Sequence, residues 1–191
     1  MKGSFVDSST TIFIFGAVAS VLFIASNYVL NRNLVIILQT AAISVLVLQY
    51  SVVMGLFAIA ILNAMFIVRN FFFYIKKWER FYPLFGVISL VIFTAIYVWL
   101  QIIPDLNTTG TVQLATIFPL LAAWFSTIAL AQVNIFRLKI FFAIASLSWV
   151  MFDIVLGLWG NIIGDGFSFI AGLIAISRIV WLERKSNSEL R

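Results

Sequence analysis

The chain has 191 residues, 63% of them hydrophobic and only 10% charged, with a net charge of +5. Soluble domains carry about 25% charged residues, so this composition excludes a globular domain on a single anchor and leaves one polytopic membrane domain. Cys and His are both absent, which removes disulfides, thiolate chemistry, zinc sites and imidazole catalysis, and no cofactor is implied.

A span needs about 20 apolar residues to cross about 30 Å of hydrocarbon, and seven such segments can be placed. The first covers residues 10–30 and ends at Asn31-Arg32-Asn33. Ala17-Val18-Ala19 has the small-residue spacing of a signal-peptide cleavage site. Lys2 is offset by Asp7, however, and the apolar run continues to Leu30, so helix 1 reads as a retained span. The second covers 34–49, with Tyr50-Ser51 as a weak boundary, and the third covers 52–75 and ends in Lys76-Lys77-Trp78-Glu79-Arg80. The fourth, 83–103, opens on Pro83, a residue suited to a first helical turn. Pro104 to Gly110 is the one clear polar loop. The fifth, 112–132, contains Pro119; the sixth and seventh cover 137–157 and 161–182. Residues 183–191 read as a frayed polar cytoplasmic tail.

Charge orients these spans. With seven spans and an outside N-terminus, the cytoplasmic side holds Arg32, Arg69, Lys76, Lys77, Arg80, Arg137, Lys139, Arg178, Arg184, Lys185 and Arg191, against Lys2 alone outside. Eleven against one is a strong positive-inside asymmetry, and six spans would destroy it. The expected location is a bacterial inner membrane, N-terminus periplasmic and C-terminus cytoplasmic. Basic residues placed at helix ends speak for topology rather than for a nucleic-acid partner. The bilayer is the expected partner, and a homo-oligomer is allowed.

The most informative stretch is the hairpin from Ser146 to Arg178, turning at Gly157-Leu158-Trp159-Gly160. Asp153 ascends and Asp165 descends at matched depth, because antiparallel helices rise equally per residue. Intramembrane carboxyls are costly and normally face the protein interior. Two of them held close cannot both stay ionised, so the pair is expected to meet and to share a proton. Small and polar residues mark helix contacts in lipid. Ser146, Trp149, Asp153 and Gly157 share one face of helix 6, and Asn161, Asp165, Ser168 and Gly172 one face of helix 7. With Thr116, Pro119 and Ser126 on helix 5 and Asn63 on helix 3, they suggest a polar interior walled by helices 3, 5, 6 and 7, helix 4 being a peripheral linker. The candidate substrate or proton site is Asp153, Asp165, Trp149, Asn63 and Ser168. Arg69 and Arg178, near the cytoplasmic face, are expected to snorkel.

A faint internal repeat relates helices 1–3 to helices 5–7. Both triplets end in Arg, then aromatic and basic residues: Arg69 to Lys76, and Arg178 to Lys185. Two triplets joined by one linking helix would be parallel repeats, a known transporter architecture. Ala60-Ile61-Leu62-Asn63-Ala64, Arg69-Asn70-Phe71-Phe72-Phe73-Tyr74, Ser126-Thr127, Arg137, Trp149-Val150, Asp153, Asp165-Gly166 and Arg178 together resemble the YgjV-like family of bacterial inner-membrane proteins, across nearly the whole chain. That resemblance implies a membrane protein without an assigned substrate. A wider similarity is to the SWEET and PQ-loop architecture: seven helices in two triple-helix bundles. It implies that Asn63 and Trp149 fill two of four site positions. The partners are missing, since helix 2 has no Trp and helix 7 offers Asp165 or Ser168, and no Pro-Gln motif occurs.

The leading functional expectation is a small-solute permease rather than an enzyme. The alternative is a non-transporting assembly or regulatory protein. A remote one is an intramembrane aspartyl protease, since Phe152-Asp153 and Gly164-Asp165 loosely resemble presenilin-like pairs, with Ile162 in place of the first Gly. The topology carries its own test. A cysteine replacing Thr108 in this Cys-free chain is expected to react with an impermeant reagent from the periplasm; labelling from the cytoplasm alone would overturn the seven-span arrangement.

Overall fold

A computed structural model describes residues 8–53, 57–104 and 114–189. It is all-helical, 94% helix, and contains no strand among the described residues. Among the described residues seven helices follow in order: α1 (Ser8–Tyr28), α2 (Arg32–Leu48), α3 (Phe57–Tyr74), α4 (Tyr82–Tyr97), α5 (Leu114–Ala131), α6 (Ile135–Leu156) and α7 (Trp159–Glu189). A 3₁₀ segment, Lys76–Phe81, leads into α4, and π-helical turns extend α2 over Gln49–Val53 and α4 over Val98–Ile102. Five helices are long and apolar enough to cross a membrane, while the described parts of α3 and α5 are shorter apolar helices. The chain is thus an all-α, multi-pass membrane protein. Its exposed surface is correspondingly apolar, with Val21, Val52, Val91, Trp99 and Trp159 all more than 60% exposed.

Two boundaries differ from the sequence reading. The Tyr50-Ser51 break does not exist: α2 continues to Val53, and Gln49 and Tyr50 are buried, so Val52 closes α2 instead of opening α3. One extra residue per turn lets a π segment carry these polar side chains inward without ending the helix. The polar stretch from Glu183 is helical through Glu189, an unbroken continuation of α7 rather than a frayed tail. The polar loop lies outside the described residues from Asp105 onward, as does the start of the fifth segment up to Gln113.

Neighbouring helices pack in sequence: α1 on α2, α2 on α3, α4 on α5, α5 on α6 and α6 on α7. The circuit is completed where α1 packs on α7, and α3 touches both α4 and α5. The helix ends explain how it holds. In lipid, every backbone polar group must find a partner inside the protein, and a helix leaves its last four carbonyls unpaired. α1, α3 and α5 all end at the basic end, where α2 and α6 begin. Both starting helices are capped by an asparagine: Asn31 Oδ1 accepts from the Asn33 and Leu34 amides, and Asn134 Oδ1 from those of Phe136 and Arg137.

Each starting helix also sends a cation to a neighbour's carbonyls. Arg32 donates to Phe73 O of α3 (2.9 Å) and Leu130 O of α5 (2.8 Å), and stacks on Tyr82. Lys139, fully buried, donates to Ser26 O of α1 at 2.7 Å. Around them lies an apolar cluster of Val35, Ile36, Phe73, Leu130, Leu138 and Phe142. Arg69 corrects a second expectation. It is 2% exposed and does not snorkel; its guanidinium donates to Ser126 and Thr127 on α5 and to Asn70, over the Phe66 ring. Arg178 is exposed, beside Tyr28.

An orphaned buried acceptor costs about 1–3 kcal/mol. Arg32→Met strips donors from two backbone carbonyls and Lys139→Met from one. Arg32→Met is therefore expected to lower the melting temperature in detergent more than Lys139→Met. The reverse order would show that burial of the Lys139 charge, not capping, dominates.

Candidate functional site

At the opposite end from this basic layer, α6 and α7 form a tight hairpin. Gly157 adopts φ 68°, the left-handed conformation that glycine tolerates best. Its N–H bonds to Ile154 O, and the Leu158 N–H bonds to Asp153 O at 2.9 Å. This paired closure ends α6 and fixes the Asp153 backbone within the last turn. Leu158 O then receives the Asn161 and Ile162 amides, starting α7 at once.

The short connection sets the two acids face to face. Asp153 is 1% exposed, neither of its carboxyl oxygens has a hydrogen-bond partner, and its neighbours across the turn are Asp165 and Asn161. Tyr50, carried inward by the π turn of α2, lines the same cavity as Asp165. A cavity of about 20 Å³ adjoins the pair, lined by Asp165, Asn161, Tyr50 and Trp149 together with Gly16, Ser20 and Phe23 of α1. Trp149 packs edge-on to Phe152, 5.6 Å between ring centroids, so its ring orientation is set by the core.

Of the five expected residues, Asp153, Asp165 and Trp149 converge. Asn63 does not join them: it is buried on α3, and its amide donates to Ile59 O of its own helix. Ser168 is buried one turn further in than Asp165. Its carbonyl accepts from Asn27 of α1, and its Oγ has no hydrogen-bond partner. The walls are also different from those expected. The acid pair is enclosed by α1, α2, α6 and α7, whereas α3 and α5 frame the separate Arg69 network.

Tyr50, Ser20, Gly16 and Asn161 complete the site. The signal for α1 was present as Gly16-Ala17-Val18-Ala19-Ser20, small residues that permit close helix approach. That approach is visible at both glycines: a Cβ on Gly16 would sit 2.7 Å from Asn161 Oδ1, and one on Gly164 would overlap Ser20. Ser20 Oγ donates to Gly16 O at 2.7 Å, which turns its lone pairs away from its own helix. Chemically, the arrangement offers a carboxyl pair with neutral oxygen groups and one indole face. It contains no nucleophile–base pair.

No protein-family model, no curated protein and no solved structure matches the chain.

The Gly164 contact makes a direct prediction. Gly164→Ala forces α1 and α7 apart at the site and is expected to cost about 1–3 kcal/mol, as overpacking does. Gly166→Ala is the control, because a Cβ there meets nothing within 4 Å. Equal melting temperatures for the two variants would contradict the close approach of α1 and α7.

Proposed function

We propose that the chain is a small-solute permease of the bacterial inner membrane whose acid pair carries the coupling charge. The observation that carries this reading is the pair itself: two carboxyl groups from adjoining helices, brought together among apolar walls with an indole and a phenol beside them. Intramembrane acids of this kind mark ion and proton routes. Asp153, Asp165 and Trp149 form the centre of the site in this reading. Ser168 continues it inward along α7, and Asn63 is assigned to packing within α3.

We also propose that helices 1–3 and 5–7 form two parallel triple-helix bundles joined by α4, with the N-terminus periplasmic, and that the chain is a YgjV-like protein. The packing supports a repeat. The middle helix of each triplet lies between the other two, and α1 against α7 is the counterpart of α5 against α3. The asparagine caps of α2 and α6 and the cations reaching from α2 to α5 and from α6 to α1 follow the same correspondence.

One observation favours the non-transporting alternative: the cavity has room for a single water, so any solute route requires a second, opened conformation. Reconstitution separates the two readings. With a pH-sensitive dye trapped in proteoliposomes, the parent is expected to move protons when a metabolite mixture is added outside. Asp153→Asn, which keeps the side-chain volume, is expected to lose that flux while keeping a melting temperature close to the parent's. Asp153→Leu is expected to lose the flux as well. If both variants fold and act like the parent, Asp153 is neither a site nor a strut.

A further inference from the structure

A cavity and a groove lie in line on the helix pair α2 and α3, one at the basic end and one below it. The cavity, of about 370 Å³, opens where α2 begins and α3 has ended, and its charged lining is Arg32, Lys76 and Glu79. Arg32 is half-buried; its partners are two carbonyls and the Tyr82 phenol, all uncharged, and its Nε has none. Two cations against one carboxylate leave the cavity with one net positive charge.

The groove, of about 430 Å³, is lined on α2 by Ile36, Ile37, Thr40 and Ser44 and on α3 by Asn70 and Tyr74. Helical residues four apart stack on one face, so Arg32 and Asn33 stand one turn nearer the basic end than Ile36 and Ile37. Lys76 follows Tyr74 by two residues. The groove therefore leads into the cavity. The polar groups of its floor are bonded within the protein: Asn70 donates to Thr40 Oγ1, Thr40 to Ile36 O and Ser44 to Thr40 O. What remains is hydrocarbon surface, with the exposed Tyr74 ring at the level where aromatic side chains meet headgroups. At about 1.5 Å per residue, Ile36 to Ser44 covers about 12 Å, against about 15 Å for the chains of one leaflet.

Charge and length together select the occupant. A free anion fills the cavity and leaves the groove bare. A zwitterionic lipid fills the groove but brings no net charge to balance the excess cation. A phosphodiester lipid carrying one negative charge satisfies both, and basic pockets at membrane level hold such headgroups. We propose that the cavity and groove form a binding site for a phosphatidylglycerol-like lipid. Its phosphate lies between Arg32 and Lys76, a headgroup hydroxyl donates to Glu79, and one acyl chain follows the groove. The site does not depend on whether the protein transports.

The test melts the purified full chain, in a neutral detergent, with one of three additions: phosphatidylglycerol, phosphatidylcholine of the same acyl chains, or inorganic phosphate. Near saturation, phosphatidylglycerol is expected to raise the melting temperature on the order of 4 °C more than phosphatidylcholine, and inorganic phosphate is expected to leave it unchanged. Two variants leave the Arg32 ties intact. Lys76→Glu reverses an exposed charge of the cavity, and Ala41→Phe sets a ring into the groove from an exposed position on α2. Each is expected to raise the half-saturating amount of phosphatidylglycerol at least about fivefold. Equal stabilisation by the two lipids overturns the proposal, because the lipid then acts only as a solvent for apolar surface. A full response to inorganic phosphate overturns it as well, since a soluble anion then suffices. So does an unchanged phosphatidylglycerol response in either variant, which places the lipid elsewhere.

Discussion

Helix carbonyls at the basic end are the groups on which the whole arrangement depends. Water is not available inside the bilayer to satisfy them, so cations from neighbouring helices take its place. Arg32 fastens the ends of α3 and α5 to the start of α2, and Lys139 fastens the end of α1 to the start of α6. Two side chains thereby tie five of the seven helices together at one level. Because the partners are backbone carbonyls, the ties fix the relative heights of the helices as well as their neighbours. Positive charge on this face thus closes the helix ends.

The two ends of the molecule are complementary in what they lack. At the basic end most donors are matched by carbonyls and hydroxyls, Arg32 Nε being an exception, and the Arg69–Asn70–Thr40 chain of hydrogen bonds links α3 to α2 and α5. At the acid end, acceptors outnumber donors. The fold therefore places its chemistry where its polar groups are least satisfied, and supports it from the end where they are most satisfied.

Much of this was legible from the amino acids because lipid simplifies the code. Where apolar runs must be about 20 residues long, the helices announce themselves, and each of the seven helices overlaps a segment read from the sequence, although α7 runs on to Glu189. Asp153 and Asp165 stood out for the same reason, as acids in apolar sequence beside a glycine turn. Tyr50 did not, since Gln49-Tyr50-Ser51 interrupts an apolar run as a turn would, and nothing local distinguishes a π turn from a break. Arg69 looked like a snorkelling residue, because a cation near a helix end reads the same whether it faces headgroups or a neighbour's hydroxyls. Asn63 was chosen for its depth, yet it is satisfied by Ile59 O of its own helix. Pairings between distant segments, such as Ser20 with Gly164, depend on which faces meet, and periodicity within one helix does not contain that information.

The two-residue connection between α6 and α7 also bears on how the protein reaches the membrane. Asp153 and Asp165 lie on either side of one turn, within a single helical hairpin, so they can find each other as soon as that hairpin has formed. An acid entering lipid alone bears its full desolvation cost, whereas two entering together can share a proton across the turn. The last hairpin is thus built to leave the insertion machinery as one unit. Gly157, by allowing so abrupt a reversal, acts on biogenesis before it acts on the finished fold. α1 and α2, made earlier, would already be waiting to receive the pair.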